Sequence, residues 1–426
     1  MMRVIELFKE ITVVPRCSGT HKPFIQFIQN FALKNDYICK VDNANNILCY
    51  KQNQTPDICL QSHYDIVCLE DGKVPEIMEV DGYLKAVNST LGADNGIGCA
   101  YMLALMEENK NLELLFTCDE EIGLLGANDI EFNLQSSKML NLDSEEEGEI
   151  CIGCAGGIDI FATNTISEYI ENKENKILYE ITIDELDGGH SGVDIDKNVP
   201  NALKLITRTI KECHADLLEL NGGERINSIP KSAKAIIASS QIPKISHENM
   251  NIKTIDAPTK HYRKLDSKII DFIYSFANSV RGYDKEIESV LTSINIAIVS
   301  TSIDDFKVEL SARSMDNEEL LIIKNETIVL LEAFGFNVET SGKYPAWKPQ
   351  QSEFTSKVLN IYKRHNKDAS LEAIHAGLEC AIFKEKYPNM QICSIGPNIY
   401  FPHSHREECD ISSVHNVYKV LKDIIS

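Results

Sequence analysis

Long hydrophobic runs are missing from this 426-residue chain. No stretch approaches the roughly 20 apolar residues that a membrane-spanning helix needs, so a bilayer is not expected as a partner. The opening residues Met1 to Glu10 alternate apolar and charged positions and lack the uninterrupted apolar core of a secretory leader. Positive charge is scarce as well. Lys and Arg number 42 against 64 Asp and Glu, a formal net charge of −22, which repels nucleic-acid backbones and anionic membrane surfaces and excludes both as expected partners. A second CxxC is lacking: Cys151-Ile152-Gly153-Cys154 stands alone, cannot complete a zinc ribbon, and reads as small residues in a glycine-rich turn. The 13 cysteines are an odd count scattered through apparent strands and helices, as at Cys39, Cys49, Cys59 and Cys99. Free buried thiols in a reducing compartment look like this, and a cytoplasmic protein is expected.

What is present is an ordinary core-forming composition, 43% hydrophobic and 25% charged, on a chain long enough for about two or three domains. Helical periodicity covers 3–13 and 22–35, broken by Pro15 and the polar Cys17-Ser18-Gly19-Thr20. Short strands are expected at 47–50, 58–62, 112–117 and 139–142, with a loop or hairpin from Cys68 to Asn88 and an apolar helix at 99–107. Strands alternating with helices predict an α/β domain on a largely parallel sheet. From about Lys176 the pattern changes to strands at 177–183, 226–229, 233–238, 294–299 and 306–312, with helices at 201–217, 266–281 and 317–334. We divide the chain into a first domain that runs over 1–175 and returns over 350–426, and an inserted α+β lid domain over 176–349.

Four motifs sit where apolar runs end: Ser62-His63-Tyr64-Asp65, Gly92-Ala93-Asp94-Asn95-Gly96, Cys118-Asp119-Glu120-Glu121 and Asn141-Leu142-Asp143-Ser144. The ends of parallel strands are where such a sheet offers side chains to a ligand. One imidazole with several carboxylates suits Zn²⁺ or a similar divalent ion, and surplus carboxylates suit a second. Residues two apart in a strand share a face, so Asp65 can orient the His63 ring. Asp94 taken alone is as well explained as a helix cap. Three adjacent carboxylates at 119–121 repel one another unless cations or water intervene, and two of them can serve one crevice only where the chain turns. Glu145-Glu146-Glu147 reads as a solvated charged loop. Far along the chain, Gly396 to His405 offers His403 and His405 on a Pro/Gly-rich loop, either of which could supply a second imidazole.

These stretches, HYDIV, TLGADNGIG, TCDEEIGLLGA, NLDSEEEGEICIGCAGG, GGHSGVDI, IHAGLEC and SIGPNIYFPHS, together closely resemble the cytosolic aminoacyl-histidine (Xaa-His) dipeptidases of the M20 metallopeptidases. The resemblance implies a zinc-peptidase-like catalytic domain with a mixed, largely parallel sheet flanked by helices, plus the inserted lid. It implies two Zn²⁺, for which Mn²⁺ or Co²⁺ could substitute, with Asp94 bridging, His63 and Asp143 on one ion, and Glu121 and His403 on the other. His403 rather than His405 matches through its Phe-Pro-His-Ser context. Glu120 matches the general base acting on a metal-bridging hydroxide, Asp65 the partner of His63, and His190 the lid histidine that stabilises the oxyanion. Asn227, Arg313 and Gly377 match positions that hold the substrate, and a cis peptide is implied at Asp94-Asn95. The implied activity is hydrolysis of unblocked dipeptides, Xaa-His included, by a homodimer. Another M20-type amidohydrolase, an aminoacylase or carboxypeptidase, is the alternative, and a non-catalytic metal-dependent binding protein a more distant one. His375 is expected to be structural or near the substrate rather than a ligand.

Overall fold

The structure is a computed structural model that describes residues 3–69, 74–87, 89–166, 176–255, 263–285 and 288–426. It divides into two compact units, one of Met1–Cys154, Trp347–Ala373 and Leu378–Ser426, the other of Ala155–Ala346 and Ile374–Gly377. Among the described residues no helix is long and apolar enough to cross a membrane.

The first unit is built on an eight-stranded mixed sheet. Its centre is parallel: Glu113–Thr117, Ile58–His63, Lys138–Asn141 and Gln391–Ser394 lie side by side in that order. Ile47–Tyr50 and Ile38–Val41 extend one edge antiparallel, and Glu149–Cys154 followed by Ser370–Ile374 extend the other. Every residue of Ile58–His63 and Glu113–Thr117 is buried, the pattern of strands covered on both faces. The helix Ala93–Glu107 is buried almost all round, as a central core helix must be. It packs against the amphipathic Arg3–Thr12, and Glu353–His365 packs against Ile411–Ile424. The expected loop or hairpin from Cys68 to Asn88 lies partly outside the described residues; inside them Glu76–Val80 and Tyr83–Val87 pair antiparallel.

In the second unit an antiparallel sheet runs in the order Met250–Ile255, Ile177–Ile183, Ala233–Ser239, Asp216–Gly222, Ser289–Thr301, Asp305–Ser314, Gly156–Thr165 and Asn337–Tyr344, with Ser279–Asp284 pairing onto Ser289–Thr301. Helices Ala202–Glu212, Ser267–Ser275 and Asn317–Ala333 cover it. Asn201 and Asp316 cap two of them, each side chain accepting two backbone N–H groups of the first turn.

Three expectations are corrected. The units part at Ala155 rather than at 176, because Gly156–Thr165 alternates buried and half-buried residues and pairs with both Asp305–Ser314 and Asn337–Tyr344. The helices expected over 201–217 and 266–281 end at Glu212 and Ser275, and their distal parts become strand. Leu217, Leu218 and Leu220 suit either period; pairing with Ala233–Ser239 decides for strand. The cysteines are not all free, since Cys17 and Cys68 are joined in a disulfide while Cys39, Cys49, Cys59 and Cys99 remain thiols.

Candidate metal centre

Register places the expected motifs together. His63 lies opposite Thr117, and Gln61 opposite Asn141, across two parallel neighbours. The chain therefore leaves the sheet at His63, at Cys118-Asp119-Glu120-Glu121 and at Leu142-Asp143 on the same side, beyond the carboxyl ends of the strands.

His63 Nε2 is 3.1 Å from Asp94 Oδ1 and 3.2 Å from Asp143 Oδ1. Its Nδ1 faces the backbone oxygen of Asp65 at 3.1 Å and the Asp65 carboxylate at 3.5 Å. A neutral ring whose Nδ1–H donates to that carbonyl keeps the Nε2 lone pair for a cation. The other oxygen of Asp94 faces the second imidazole: His403 Nε2 lies 2.9 Å from Asp94 Oδ2 and 3.0 Å from Glu121 Oε2. His403 is thus the histidine of its loop that meets Asp94. Ligand-type atoms of His63, Asp94 and Asp143 lie within 4.8 Å of one another, as do those of Asp94, Glu121 and His403, and those of His63, Glu120 and Glu121.

The chain turn at 119–121 sorts the three carboxylates. Asp119 takes a positive φ of 53°, and its side chain accepts the Gly19 N–H at 2.6 Å and faces His21 at 3.2 Å, leaving Glu120 and Glu121 with His63. Cys118, His21 and Asp119 form a further group of ligand type, but the Tyr64 hydroxyl on His21 and the Cys118 thiol donating to the Ala44 carbonyl already account for it.

Asp94 depends on close backbone approach. A Cβ at Gly98 would lie 2.0 Å from Asn95 Oδ1 and 2.9 Å from the Leu142 carbonyl, and one at Gly96 2.5 Å from the Arg16 guanidinium. That buried guanidinium donates to the carbonyls of Tyr64 and Gly92 at 3.0 and 2.7 Å. The Asp94-Asn95 peptide is cis, and the Asn95 amide donates to Asp143.

Glu407 completes the loop. Its buried carboxylate accepts the N–H groups of Leu91, Gly92, Ala93 and Asp94 at 2.8, 3.0, 2.8 and 3.4 Å, anchoring the N-terminus of the helix that carries Asp94. Sequence reasoning missed it, and nothing in Arg406-Glu407-Glu408 marks one acid as buried. It also missed a polar layer beneath the ligands: Glu379 Oε2 accepts from Gln61 Nε2 at 2.5 Å and Thr117 Oγ at 2.8 Å, and Asn141 donates to Gln61 at 2.5 Å. Here a signal existed, since Gln61, Thr117 and Asn141 are polar residues inside apolar strands. Glu145 is exposed, as expected of a solvated loop, and it also borders a small cavity with Asp94 and Asp143.

Burial opposes charge on His63, yet Asp143, Asp65 and Asp94 outweigh it and hold the ring well above the usual imidazole range. His403, although exposed on one side and opposed by partial desolvation, is pushed up to about 12 by Asp94 and Glu121. Asp94 is held well below the carboxylate range; burial works against this, and hydrogen bonds from both histidines prevail. Glu120, Glu121 and Asp143 are pushed up, each chiefly by burial and then by neighbouring carboxylates, against the pull of His63. Carboxylates crowded in this way favour a multivalent cation among them. A pair of divalent cations fits the donor set of three carboxylates and two imidazoles, and Glu121 Oε1 is buried with no hydrogen-bond partner.

The remaining expected residues gather within the second unit. His190 Nδ1 accepts the N–H groups of Gly192 and Val193 at 3.2 and 3.3 Å, which leaves the ring proton on Nε2, the tautomer able to donate to an oxyanion. The carbonyl of Asn227 accepts the Ser191 N–H at 2.8 Å. Arg313 donates to the Tyr344 hydroxyl at 2.6 Å, and a Cβ at Gly377 would lie 2.8 Å from that ring. Buried His375 meets Ser293 Oγ at 2.7 Å and belongs to none of the ligand-type groups found among the described residues.

Such a centre beside the end of a parallel sheet defines a metal-dependent hydrolase. The chain belongs to peptidase family M20/M25/M40, whose model matches residues 59–426, and it is a metallopeptidase. It is 31% identical to the cytosol non-specific dipeptidase of Escherichia coli over 468 aligned positions, covering 99% of this chain and 96% of that protein. Among solved structures, aminoacylhistidine dipeptidase from Vibrio alginolyticus matches with a TM-score of 0.82 and 29% identity, over 99% of this chain and 96% of that one. Aminopeptidase PepT from Bacillus cereus shares the fold at a TM-score of 0.61 and 15% identity, over 99% and 97%.

Proposed function

We propose that the chain is a di-zinc dipeptidase that hydrolyses unblocked dipeptides, Xaa-His among them. The observation that carries this reading is the division of Asp94: one oxygen faces His63 and the other His403, so a single carboxylate serves two cation positions. His63 and Asp143 would hold one Zn²⁺, Glu121 and His403 the other, with Asp94 between them. Mn²⁺ or Co²⁺ could substitute, because the donors are imidazole nitrogen and carboxylate oxygen. When bound, the cations supply Lewis acidity that makes water nucleophilic near neutral pH and polarises the scissile carbonyl. Glu120 takes the proton from the attacking water and delivers it to the leaving amine. Asp65 holds the His63 ring in its ligating tautomer.

To the second unit we assign the substrate-holding role of a lid: His190 donates from Nε2 to the developing oxyanion, Arg313 suits a terminal carboxylate through its planar fork, and Asn227 and Gly377 contact the peptide. The family resemblance also supports a homodimer, and the cytosolic relative a cytoplasmic enzyme.

The test is a panel of free dipeptides, Xaa-His included, against N-acylated amino acids, run on protein loaded with Zn²⁺, Mn²⁺ or Co²⁺. Preferred cleavage of free dipeptides is expected, and preference for acylated substrates would replace this reading with an aminoacylase. Glu120→Gln should retain metal by elemental analysis while turnover falls by about 10² to 10⁴; wild-type turnover in that variant would remove Glu120 from its role.

A further inference from the structure

Two cysteines stand apart from the rest. Ten of the eleven free thiols are buried, whereas Cys17 and Cys68 are half-buried and joined, with Cα atoms 5.6 Å apart, inside the range that a disulfide spans. Their bond closes the end of a short bridge between two loops. Ile66 N–H donates to Arg16 O at 3.1 Å and Ser18 N–H to Ile66 O at 3.3 Å. The residues beside Cys17 bond the residues next to the proposed ligands: Ser18 Oγ donates to Asp65 Oδ2 at 2.8 Å, and Gly19 N–H to Asp119, at the head of the turn that bears Glu120, at 2.6 Å. Asp65 in turn accepts the backbone N–H groups of Glu120 and Glu121 at 3.1 and 3.4 Å. One covalent bond therefore pins the loop that holds both the partner of His63 and the turn bearing Glu120.

We propose that Cys17 and Cys68 form a reversible thiol–disulfide exchange site, taking a low-molecular-weight disulfide as oxidant and its thiol as reductant, that sets turnover at the metal centre through Ser18 and Asp65. This rests on the centre being the reaction site. In the oxidising direction one cysteine thiolate attacks a sulfur of the small disulfide, expels one small thiolate and forms a mixed disulfide. The second cysteine thiolate then attacks the protein sulfur, the Cys17–Cys68 bond forms, and a second small thiolate leaves. The two protein thiols lose two electrons and two protons, and the small disulfide gains them as two thiols. Exchange requires access to a sulfur; Cys17 and Cys68 are only half-buried, whereas ten of the other eleven cysteines are buried. The oxidised state holds Asp65 and the Glu120 turn as described above and is the faster form.

The experiment places zinc-loaded protein in glutathione buffers of graded thiol-to-disulfide ratio and reads dipeptide turnover together with alkylation of Cys17 and Cys68 by peptide mass. Hydrogen–deuterium exchange at the Gly19 and Glu120 amides reads the same coupling without turnover. Wild-type protein should pass reversibly from a slower, doubly alkylated form to one three- to tenfold faster and unalkylated, with both amides becoming better protected. Cys17→Ser/Cys68→Ser should stay at the slower level throughout, and its flat response separates the switch from removal of zinc by thiol. The proposal is overturned if alkylation of the pair does not change with the ratio, or if turnover and amide protection do not follow it. Inactivity towards every dipeptide would defeat the dipeptidase reading alone, since alkylation and amide exchange still decide this one.

Discussion

Asp65 Oδ1 accepts the backbone N–H of Glu120 at 3.1 Å while the carbonyl of the same residue meets His63 Nδ1 at 3.1 Å. One residue thus orients the proposed metal ligand His63 and positions the proposed general base. Burial would push its carboxyl up, but His63, Ser18 and the Glu120 amide hold it below the carboxylate range. Asp65→Ala should lower kcat or zinc affinity by about 10- to 100-fold, the usual cost of removing a ligand's partner. Steady-state kinetics with a competitive zinc titration checks this, and unchanged values for both would show that the backbone carbonyl suffices.

Glu407 predicts a stability effect rather than a chemical one. Its removal leaves the four N–H groups it accepts without their carboxylate, and each hydrogen bond to a charged group contributes about 1.5–3 kcal/mol. Glu407→Ala should destabilise the protein by at least about 2 kcal/mol in urea unfolding. Glu407→Gln, which retains one acceptor oxygen, should lose less.

Gly98 permits no side chain. A methyl group would stand 2.0 Å from Asn95 Oδ1 and 2.7 Å from Ser62 Oγ, so Gly98→Ala must displace the segment that presents Asp94. Overpacking of this kind costs about 1–3 kcal/mol. Reduced metal content at equal protein concentration is expected, measured by elemental analysis after gel filtration.

His375 carries a pH prediction. Its burial, with Arg313 and His190 adding to the effect, lowers its pKa to about 3, below the ~6.5 of an unfolded chain. Between those values the unfolded state binds a proton that the folded state refuses, so the contribution is present above pH ~6.5 and is lost as pH falls towards 3. Wild-type protein should therefore lose stability relative to His375→Gln between pH 6.5 and 4.5. Urea unfolding of both proteins at each pH measures the difference, and parallel curves would refute the assignment.

Much of the first unit could be read along the chain because its signals are local. Apolar runs at 58–62, 112–117 and 139–142 are strands in a parallel core, and each ends at the residue expected to act: His63, the 119–121 acids and Asp143. The helix expected over 201–217 stops at Glu212 because the leucines beyond it satisfy both periods and pairing with Ala233–Ser239 makes the choice; the one expected over 266–281 stops at Ser275 because Ser279–Asp284 pairs with Ser289–Thr301. Glu407 and Glu379 escaped notice since burial alone distinguishes them from surface glutamates.

By itself the sequence determined which side chains can bind a cation or move a proton, and that apolar strands deliver several of them to a common edge; these follow from residue chemistry and short-range periodicity. The family resemblance already favoured His403 over His405; tertiary structure alone brought that residue, 309 positions from Asp94, against its carboxylate, turned Asp119 away from Glu120 and Glu121, and carried Cys17 to Cys68. Those outcomes depend on backbone φ at one turn and on the register of distant segments, which no local pattern of residues encodes.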